Sequence, residues 1–269
     1  MSFFSTPAIL IRRIDYGDAD VILTFLSQYY GKVTVIAKHA KKSMKRFLGI
    51  LELFCVIDMV CTRSKRKEAM PVLKEAELYQ HFSNIREDIF KIAYASYWSE
   101  LIRLWIEEGI CQPIIYDLLY HVLLKSHQNT QPVTILNMIF QMRFMQQTGF
   151  MPNLSQCSQC GQLTDLIPQA KIMFHLAKGG ILCHNCSLNQ SNSLFLSKGT
   201  LKYLQWMTQV PLEKTERLRL TEQPIKEGND FLEMFVPFYL ARGFNSLKVL
   251  QELKKDSIMN RKSKIENRK

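Results

Sequence analysis

The stretch of sequence that predicts the fold is residues 7–38, which read PAILIRRIDYGDADVILTFLSQYYGKVTVIAK. It divides into three segments rich in aliphatic and β-branched residues, at Pro7–Ile14, Ala19–Ser27 and Lys32–Lys38. Residues of these types favour strands. A Tyr-Gly pair just before the third segment is a turn signal. The pattern therefore predicts three strands, of which the last two form a hairpin.

Two more strand-like segments complete the amino-terminal part of the chain. Leu48–Thr62 is a long apolar run in which Gly49 indicates a bend or bulge, and Pro71–Tyr79 follows it. Five strands with no helical periodicity between them predict a small closed barrel. The oligonucleotide-binding (OB) barrel has five strands and binds single strands, and an SH3-like barrel is the alternative that the pattern leaves open.

After Phe82 the periodicity becomes helical, because apolar residues recur at three- and four-residue spacing. Asn84 is expected to cap the first helix and Gly109 to end it. Further helices are predicted at residues 112–127, 132–148, 197–208, 224–242 and 245–256.

Together these elements predict an α+β multidomain protein. The expected parts are an OB-type barrel at 1–80, a helical domain at 81–150 and 197–256, a zinc-ribbon-like insertion at 151–196 and a basic tail at 257–269.

The most specific chemical signal is a pair of CxxC motifs, Cys157 with Cys160 and Cys183 with Cys186. Two residues between thiolates allow both sulfurs of a tight turn to reach one ion, and two such turns complete a tetrahedron. The residues between the pairs predict a hairpin that turns at two adjacent glycines. Four thiolates leave no open coordination position, so the spacing predicts a structural Zn2+ and argues against a catalytic or redox site.

The positive charge of the chain is concentrated in three stretches. Residues 38–46, 63–67 and 254–269 together carry a charge of +14, whereas the whole chain carries +11, so the remainder is acidic. Local basic clusters bind a phosphate backbone, although a solvated surface is the alternative reading. The residues predicted to contact DNA are Lys32, Lys38, Lys41, Lys42, Lys45, Arg46, Arg63, Lys65, Arg66 and Lys67.

Several classes of protein are not supported by the sequence. It contains no P-loop, dinucleotide-binding glycine motif, nucleophile elbow or HExxH motif. Asp15, Asp18 and Asp20 lack the pattern of a calcium loop and are expected to cap a turn at the rim of the barrel. No catalytic residues are therefore predicted. Paired CxxC motifs without an export signal favour a reducing, cytoplasmic compartment.

In its order of motifs the chain resembles the RecO family of bacterial DNA repair proteins over nearly its full length. The resemblance rests on four groups of segments, in which the cysteine spacing is the most specific feature. These are Tyr16–Asp20 with Tyr30–Val33 and Ala37–Lys38; Leu51–Phe54 with Glu75–Leu78; Thr148–Pro152 before Cys157; and Gly179–Cys183 with Ser246–Leu250.

The resemblance implies an OB domain, a helical bundle, a zinc module and a function without catalysis. The implied activity is that of a recombination mediator, which binds single- and double-stranded DNA, anneals complementary strands and assists loading of RecA. Implied partners are RecR and the acidic tail of single-strand-binding protein (SSB), for which Arg143 or Lys125 are candidate contacts, and the implied location is the cytoplasm at the nucleoid. A zinc-ribbon interaction module in a transcription or RNA complex is the main alternative, and a metal-dependent hydrolase is a second one.

Overall fold

The computed structural model describes residues 2–43, 47, 49–63, 69–188, 190 and 193–266. Its contacts divide the chain into two compact units, residues 1–128 with 244–269 and residues 129–243. The domain boundaries proposed from the sequence stay a prediction.

The first unit contains a closed five-stranded barrel, as predicted. Its strands follow one another around the barrel in the order β1-β2-β3-β5-β4. All neighbouring strands are antiparallel except β3 and β5, which run parallel. This order and the parallel closure agree with the OB type. The strands are β1 Ser2–Tyr16, β2 Asp20–Ser27, β3 Gly31–Ala37, β4 Val56–Arg63 and β5 Val72–Gln80.

The barrel core follows from the two-residue periodicity of the strands. In β3 every second residue is buried, so that Val33, Val35 and Ala37 point inward and the residues between them are more exposed. Phe25 of β2 is completely buried in the same core. The alternation visible in the sequence is therefore the alternation between core and surface.

The single long strand predicted over Leu48–Thr62 is wrong, because β4 begins only at Val56. Turns precede it, with positive φ at Gly49 (+69°) and Phe54 (+71°), and such dihedrals interrupt extended backbone. The segment is apolar because its side chains are buried, not because it is a strand; Leu48 itself lies outside the described residues. Phe47 and Leu51 belong to the barrel core, and Phe54 is buried outside it.

Four α-helices follow the barrel strands in the described part of the first unit. They are α1 Ser83–Arg86, α2 Ile89–Trp105, α3 Pro113–Gln128 and α8 Asn245–Glu266. The helix cap predicted at Asn84 is wrong for the long helix, because the carboxylate of Asp88 accepts hydrogen bonds from two backbone N–H groups of its first turn. The predicted stop at Gly109 is also late, since α2 ends at Trp105. The tail expected at 257–269 is helical through Glu266, and residues 267–269 lie outside the description.

The second unit combines helices with a small sheet. The helices are α4 Val133–Gln147, α5 His184–Ser187, α6 Lys198–Gln209 and α7 Glu222–Tyr239. The sheet has the order β7-β6-β8, with β6 Lys171–His175, β7 Gly180–Leu182 and β8 Ser193–Ser197. The β6–β7 hairpin was predicted, but β8 was not. Phe174 of β6 packs against two rings of α7. Its ring centroid lies 4.7 Å from that of Phe231 and 5.6 Å from that of Phe235.

Candidate metal centre and nucleic-acid interface

The four cysteines of the two CxxC motifs come together in the second unit. The Sγ atoms of Cys157, Cys160, Cys183 and Cys186 all lie within 4.8 Å of one another. The Sγ atoms of Cys160 and Cys183 are 3.6 Å apart. In a tetrahedron with metal–sulfur distances of about 2.3 Å, neighbouring sulfurs are about 3.8 Å apart. The cluster therefore has the dimensions of a four-thiolate metal site and can hold a metal ion.

The backbone around the cluster explains how two distant CxxC motifs meet. Gly161 has φ of +77°, and its N–H donates to the carbonyl of Cys157 at 2.9 Å, which folds the first motif into a tight turn. The N–H of Ser158 donates to the carbonyl of Ile181 at 2.9 Å and so ties this turn to β7. Strand β7 ends one residue before Cys183, which places the second motif beside the first.

The local electrostatics of the cluster favour a thiolate at Cys157. Burial raises the pKa of this thiol, but backbone N–H groups of Cys183, Cys160 and Gln159 hydrogen-bond to the sulfur and lower the pKa to about 6. The pKa of Cys186 is raised to about 12, first because of its contact with the sulfur of Cys183 and also because of the other neighbouring thiols. Four thiolates this close repel one another, and a bound cation would remove that repulsion.

Three predicted DNA contacts lie exposed at the end of β3. Lys38, Lys41 and Lys42 are at the surface, the last two within a 3-10 turn at Ala40–Lys42. The Lys41 ammonium donates to the carbonyl of Gly17 at 2.9 Å and lies 3.3 Å from the carboxylate of Asp15. This rim of the barrel therefore carries cations on an ordered turn.

Of the three aspartates expected to cap a turn at the rim of the barrel, Asp20 makes a structural hydrogen bond there. The Asp20 carboxylate accepts the N–H of His39 at 2.8 Å and so ties the end of β3 to the start of β2.

Arg63 lies at the end of β4 against two aromatic rings. Its guanidinium carbon is 4.8 Å from the ring centroid of Phe4 and 5.5 Å from that of Tyr30. The two rings are themselves 4.9 Å apart. Cation–π contact of this kind holds a flat guanidinium in a fixed orientation at the surface.

The remaining predicted cations have other environments. Lys32 is half-buried, and its ammonium donates to the carbonyl of Arg103 at 2.7 Å. Burial lowers the pKa of Lys32, an effect that Glu108 partly offsets. Five further candidates lie outside the described residues, namely Lys45, Arg46, Lys65, Arg66 and Lys67.

Two aromatic side chains of the barrel are largely exposed, at opposite ends of the β2–β3 hairpin: Tyr16 ends β1 on the side of the rim lysines, and Tyr29 lies in the turn before β3. Tyr16 is 55% exposed and Tyr29 is 61% exposed, whereas Phe47 is buried in the barrel core. Tyr30 is half-buried beneath Arg63. An exposed ring beside cations, as at Tyr16 next to the Asp15–Lys41 pair, is the combination that binds single strands without sequence preference.

One group of charged residues was missed from the sequence. Arg12 and Arg13 of β1 line a cleft together with Glu100 and Arg103 of α2. No dense run of basic residues marks them, and α2 is far from β1 in the sequence. The only signal was the adjacent arginine pair in an otherwise apolar strand.

The two residues that are candidates for contacting the SSB tail, Arg143 and Lys125, already have hydrogen-bond partners within the protein. In the second unit, the Arg143 guanidinium donates to the carbonyl of Val210, and burial lowers the pKa of Arg143. In the first unit, Lys125 on α3 contacts the side-chain amide of Gln128.

Among the described residues no helix is both long and apolar enough to cross a membrane.

Comparison with known proteins identifies the family of the chain. The family models described as "Recombination protein O N terminal" and "Recombination protein O C terminal" match residues 1–82 and 86–248. DNA repair protein RecO of Desulfosudis oleivorans is 38% identical, over 94% of this chain and 99% of its own length. RecO of Desulfatibacillum aliphaticivorans is also 38% identical, over 93% of this chain and 97% of its own length. RecO of Syntrophus aciditrophicus is 30% identical, over 93% of this chain and 96% of its own length.

Two family models match the chain in sequence order, and relatives align with it over nearly their full length, so the chain belongs to the RecO family of DNA repair proteins.

Proposed function

We propose that the chain is a recombination mediator without catalytic activity, which binds single- and double-stranded DNA and anneals complementary strands. The observation that carries the proposal is the exposed cationic rim of an OB-type barrel in a member of the RecO family. In the proposed cycle the protein acts with RecR to help RecA replace SSB on single-stranded DNA. Its place of action is the bacterial cytoplasm, at the nucleoid.

The DNA contact of the proposal combines charge with stacking. Lys38, Lys41 and Lys42 follow β3, and by sequence Lys45 and Arg46 extend the same connection. Lysine ammonium groups release the counterions condensed on phosphates, which supplies affinity without sequence preference. The connection after β4 adds Arg63, Lys65, Arg66 and Lys67.

Annealing follows from the same cations. Two complementary strands repel each other through their phosphates, and cations that neutralise both strands at once lower this barrier. The exposed ring of Tyr29 and the Arg63 guanidinium, which lies against Phe4 and Tyr30, offer groups on which unpaired bases can stack. Lys32 would have to give up its hydrogen bond to the carbonyl of Arg103 in order to contact a phosphate. We therefore expect it to contribute least to the affinity for DNA.

We assign Zn2+ to the four-cysteine cluster, with a structural role. Cys157, Cys160, Cys183 and Cys186 would hold the ion, and four thiolates exclude a water ligand. The ion would join the turn after α4 to the β6–β7 hairpin and thereby order the second unit. No step of DNA annealing is assigned to it.

Two protein partners belong to the proposal, RecR and the carboxyl-terminal tail of SSB. For the SSB tail the family resemblance points to the α4 region. Arg143 on α4 is half-buried and already donates to the carbonyl of Val210. An acidic tail would therefore have to compete with that carbonyl or bind the outer nitrogen atoms of the guanidinium.

The test is annealing of two complementary oligonucleotides at about 50 and about 200 mM salt. The variant Lys41/Lys42/Lys45/Arg46→Ala should anneal much more slowly than the wild type, and the wild type should lose rate at the higher salt. A matched control is Lys171/Lys198/Lys214/Lys226→Ala, which removes four cations from the second unit. Equal rates for both variants would contradict the assignment to the barrel. A wild-type chain that binds RNA selectively and anneals nothing would instead favour a zinc-ribbon interaction module.

A further inference from the structure

A cleft of about 280 Å³ lies beside the barrel in the first unit, outside the cation clusters described above. Strand β1 forms one wall and helix α2 the other, with the start of α8 at one end. The polar side chains that matter for its chemistry are Arg12, Arg13, Ser99, Glu100, Arg103 and Ser246.

The wall formed by α2 is polar over two helical turns. Ser96, Ser99, Glu100 and Arg103 follow one another at spacings of three, one and three residues, which places them on one face of the helix. Elsewhere the helix is anchored by fully buried residues such as Trp98. The polar face is therefore held in position by the packing of the opposite face.

The charges in the cleft do not balance. Three arginines face one carboxylate, Glu100, and both of its oxygen atoms already have partners. One oxygen lies 3.5 Å from the Arg103 guanidinium, and the other accepts the backbone N–H of Ser246 at 2.8 Å. Arg13 donates to the carbonyl of Leu51 at 3.0 Å. The side chain of Arg12 makes no hydrogen bond or ion pair with any residue that the structure describes.

The electrostatic effect of this imbalance is visible at Arg103. Burial lowers the pKa of its guanidinium, the nearby Arg12 lowers it further, and Glu100 acts in the opposite direction. Two guanidinium ions that disfavour each other in a concave site are stabilised by an anion bound between them.

A buried hydroxyl provides an independent observation. Ser99 is 3% exposed, lines the cleft, and its Oγ atom has no hydrogen-bond partner among the described residues. A buried hydroxyl without a partner is unfavourable, and such groups commonly mark a place where a ligand binds.

We propose that this cleft binds a phosphodiester group of single-stranded DNA, with Arg12 and Arg103 donating to its oxygens and the Ser99 hydroxyl completing the contact. The proposal rests on the DNA-binding function proposed above and adds a subsite to it. Its position supports a DNA strand as the occupant. Arg13, which also lines the cleft, precedes Asp15, the partner of Lys41, by two residues of β1, or about 7 Å along the same face of the strand. One strand can therefore follow the rim lysines and reach the cleft.

The first measurement is the affinity for an oligothymidylate of about 20 nucleotides, determined by fluorescence anisotropy over a range of salt concentrations. Arg12→Ala should weaken binding roughly 3- to 10-fold, and the slope of log K against log salt should become shallower by about 0.7, the value for one lost phosphate contact on a single strand. Arg242→Ala is the matched control, since it removes an exposed arginine from the second unit, and it should leave the slope unchanged.

The second measurement uses Ser99→Ala, which should act in opposite directions on stability and binding. The melting temperature of the free protein should rise by about 2 °C, because the unpartnered hydroxyl is gone. Affinity for the oligonucleotide should nevertheless fall about 2- to 5-fold, with an unchanged salt slope because no charge is lost. A role of Ser99 in folding alone would not produce this combination.

The outcomes separate the subsite from the function on which it rests. If Lys41/Lys42→Ala weakens binding while Arg12→Ala changes neither affinity nor slope, the subsite is wrong and the barrel assignment stands. The subsite for DNA is also wrong if the Arg12→Ala variant no longer binds an acidic peptide but binds the oligonucleotide as tightly as the wild type does. If the wild type binds no oligonucleotide, both proposals fail.

Discussion

Lys41 is held at the rim of the barrel by two oxygen atoms, the carbonyl of Gly17 and a carboxylate oxygen of Asp15. The carboxylate is 64% exposed, so this ion pair contributes little to stability, about 0 to 1 kcal/mol. Its larger effect is on the surface potential, because a negative charge lies beside a cation that we assign to DNA binding. The pair therefore orders the lysine and reduces its attraction for phosphate.

This balance predicts the effect of removing the acid. Asp15→Ala should increase the affinity for single-stranded DNA at low salt by about 2- to 5-fold, because a repulsive charge is lost and Lys41 becomes free to move. Asp18→Ala is the control, because Asp18 lies in the turn that follows Asp15 and its loss removes the same charge without breaking an ion pair to Lys41. Anisotropy titrations measure both. An equal gain for the two variants would mean that the pair itself is unimportant.

Gly31 is the residue at which backbone geometry most restricts the sequence. Its φ is +66°, and a Cβ atom would lie 1.9 Å from the carbonyl oxygen of Ile110. The hydroxyl of Ser27 donates to the carbonyl of Gly31 at 2.9 Å, which closes the β2–β3 turn in this conformation. Only glycine satisfies both the dihedral angle and the close approach.

Gly31→Ala should therefore reduce the free energy of unfolding by about 2 kcal/mol or more. Gly17→Ala is the matched comparison, because Gly17 also has positive φ (+56°) but has open space around it. Gly17→Ala should reduce the free energy of unfolding by only about 1 kcal/mol, because only the positive φ is unfavourable for alanine there. Urea unfolding of both variants tests this, and similar losses would contradict a steric role for the Ile110 carbonyl.

At the level of elements, Glu227 of α7 connects a strand to a helix within the second unit. Its carboxylate accepts the N–H of Ser197 at 3.0 Å and the hydroxyl of Thr200 at 2.7 Å, where β8 ends and α6 begins. Burial raises the pKa of Glu227, but hydrogen bonds from Gln223, Thr200 and Ser197 outweigh it and lower the pKa to about 2. The ionised carboxylate is therefore the form that stabilises this junction.

A depressed pKa in the folded state fixes the sign of the pH effect. The contribution of Glu227 is fully present above its ordinary pKa of 4.5 and is lost as the pH falls from 4.5 towards 2. Glu227→Gln should be less stable than the wild type at pH 7, and the difference should shrink at pH 3. Urea unfolding at the two pH values measures this. A difference that is the same at both would contradict the assignment.

The strands and helices differ in how well the sequence predicts them. The alternation in β3 identified that strand because its burial alternates, whereas β1 and β2 were identified by their aliphatic and β-branched residues and contain runs that are buried on both faces. Residues 48–55 have no such contrast, since a turn that packs into the core is as apolar as a strand. Strand β8 is short and preceded by polar residues, so its pairing with β6 depends on tertiary contacts that local patterns do not encode.

The candidate sites show the same limit. Cys157, Cys160, Cys183 and Cys186 were identified from spacing alone, because one metal ion requires a fixed local geometry for each pair. The cleft with Arg12 and Arg103 was not identified, since its walls come from β1 and α2 and only the fold brings them together. Likewise, nothing in the sequence indicated that Lys32 would donate to a backbone carbonyl.

For the whole molecule, the proposed zinc site and the proposed DNA site lie in different compact units. A structural ion should therefore be required for the folding of residues 129–243 and not for the chemistry of annealing. Cys160→Ser should lose bound zinc and be markedly less stable, whereas Cys111→Ser, which changes an exposed cysteine of the first unit, should retain both. Metal analysis and thermal unfolding measure the two properties. A Cys160→Ser variant that keeps its fold but loses annealing would contradict a purely structural role.

The central claim is that the chain mediates pairing of DNA strands in the presence of SSB. The most direct measurement is the annealing rate of complementary strands that are both coated with SSB, using either intact SSB or SSB without its acidic tail. We expect the wild-type chain to anneal strands coated with intact SSB and to lose most of this activity when the tail is absent. Annealing of bare strands only, with no activity on coated strands, would contradict the proposed mediator function.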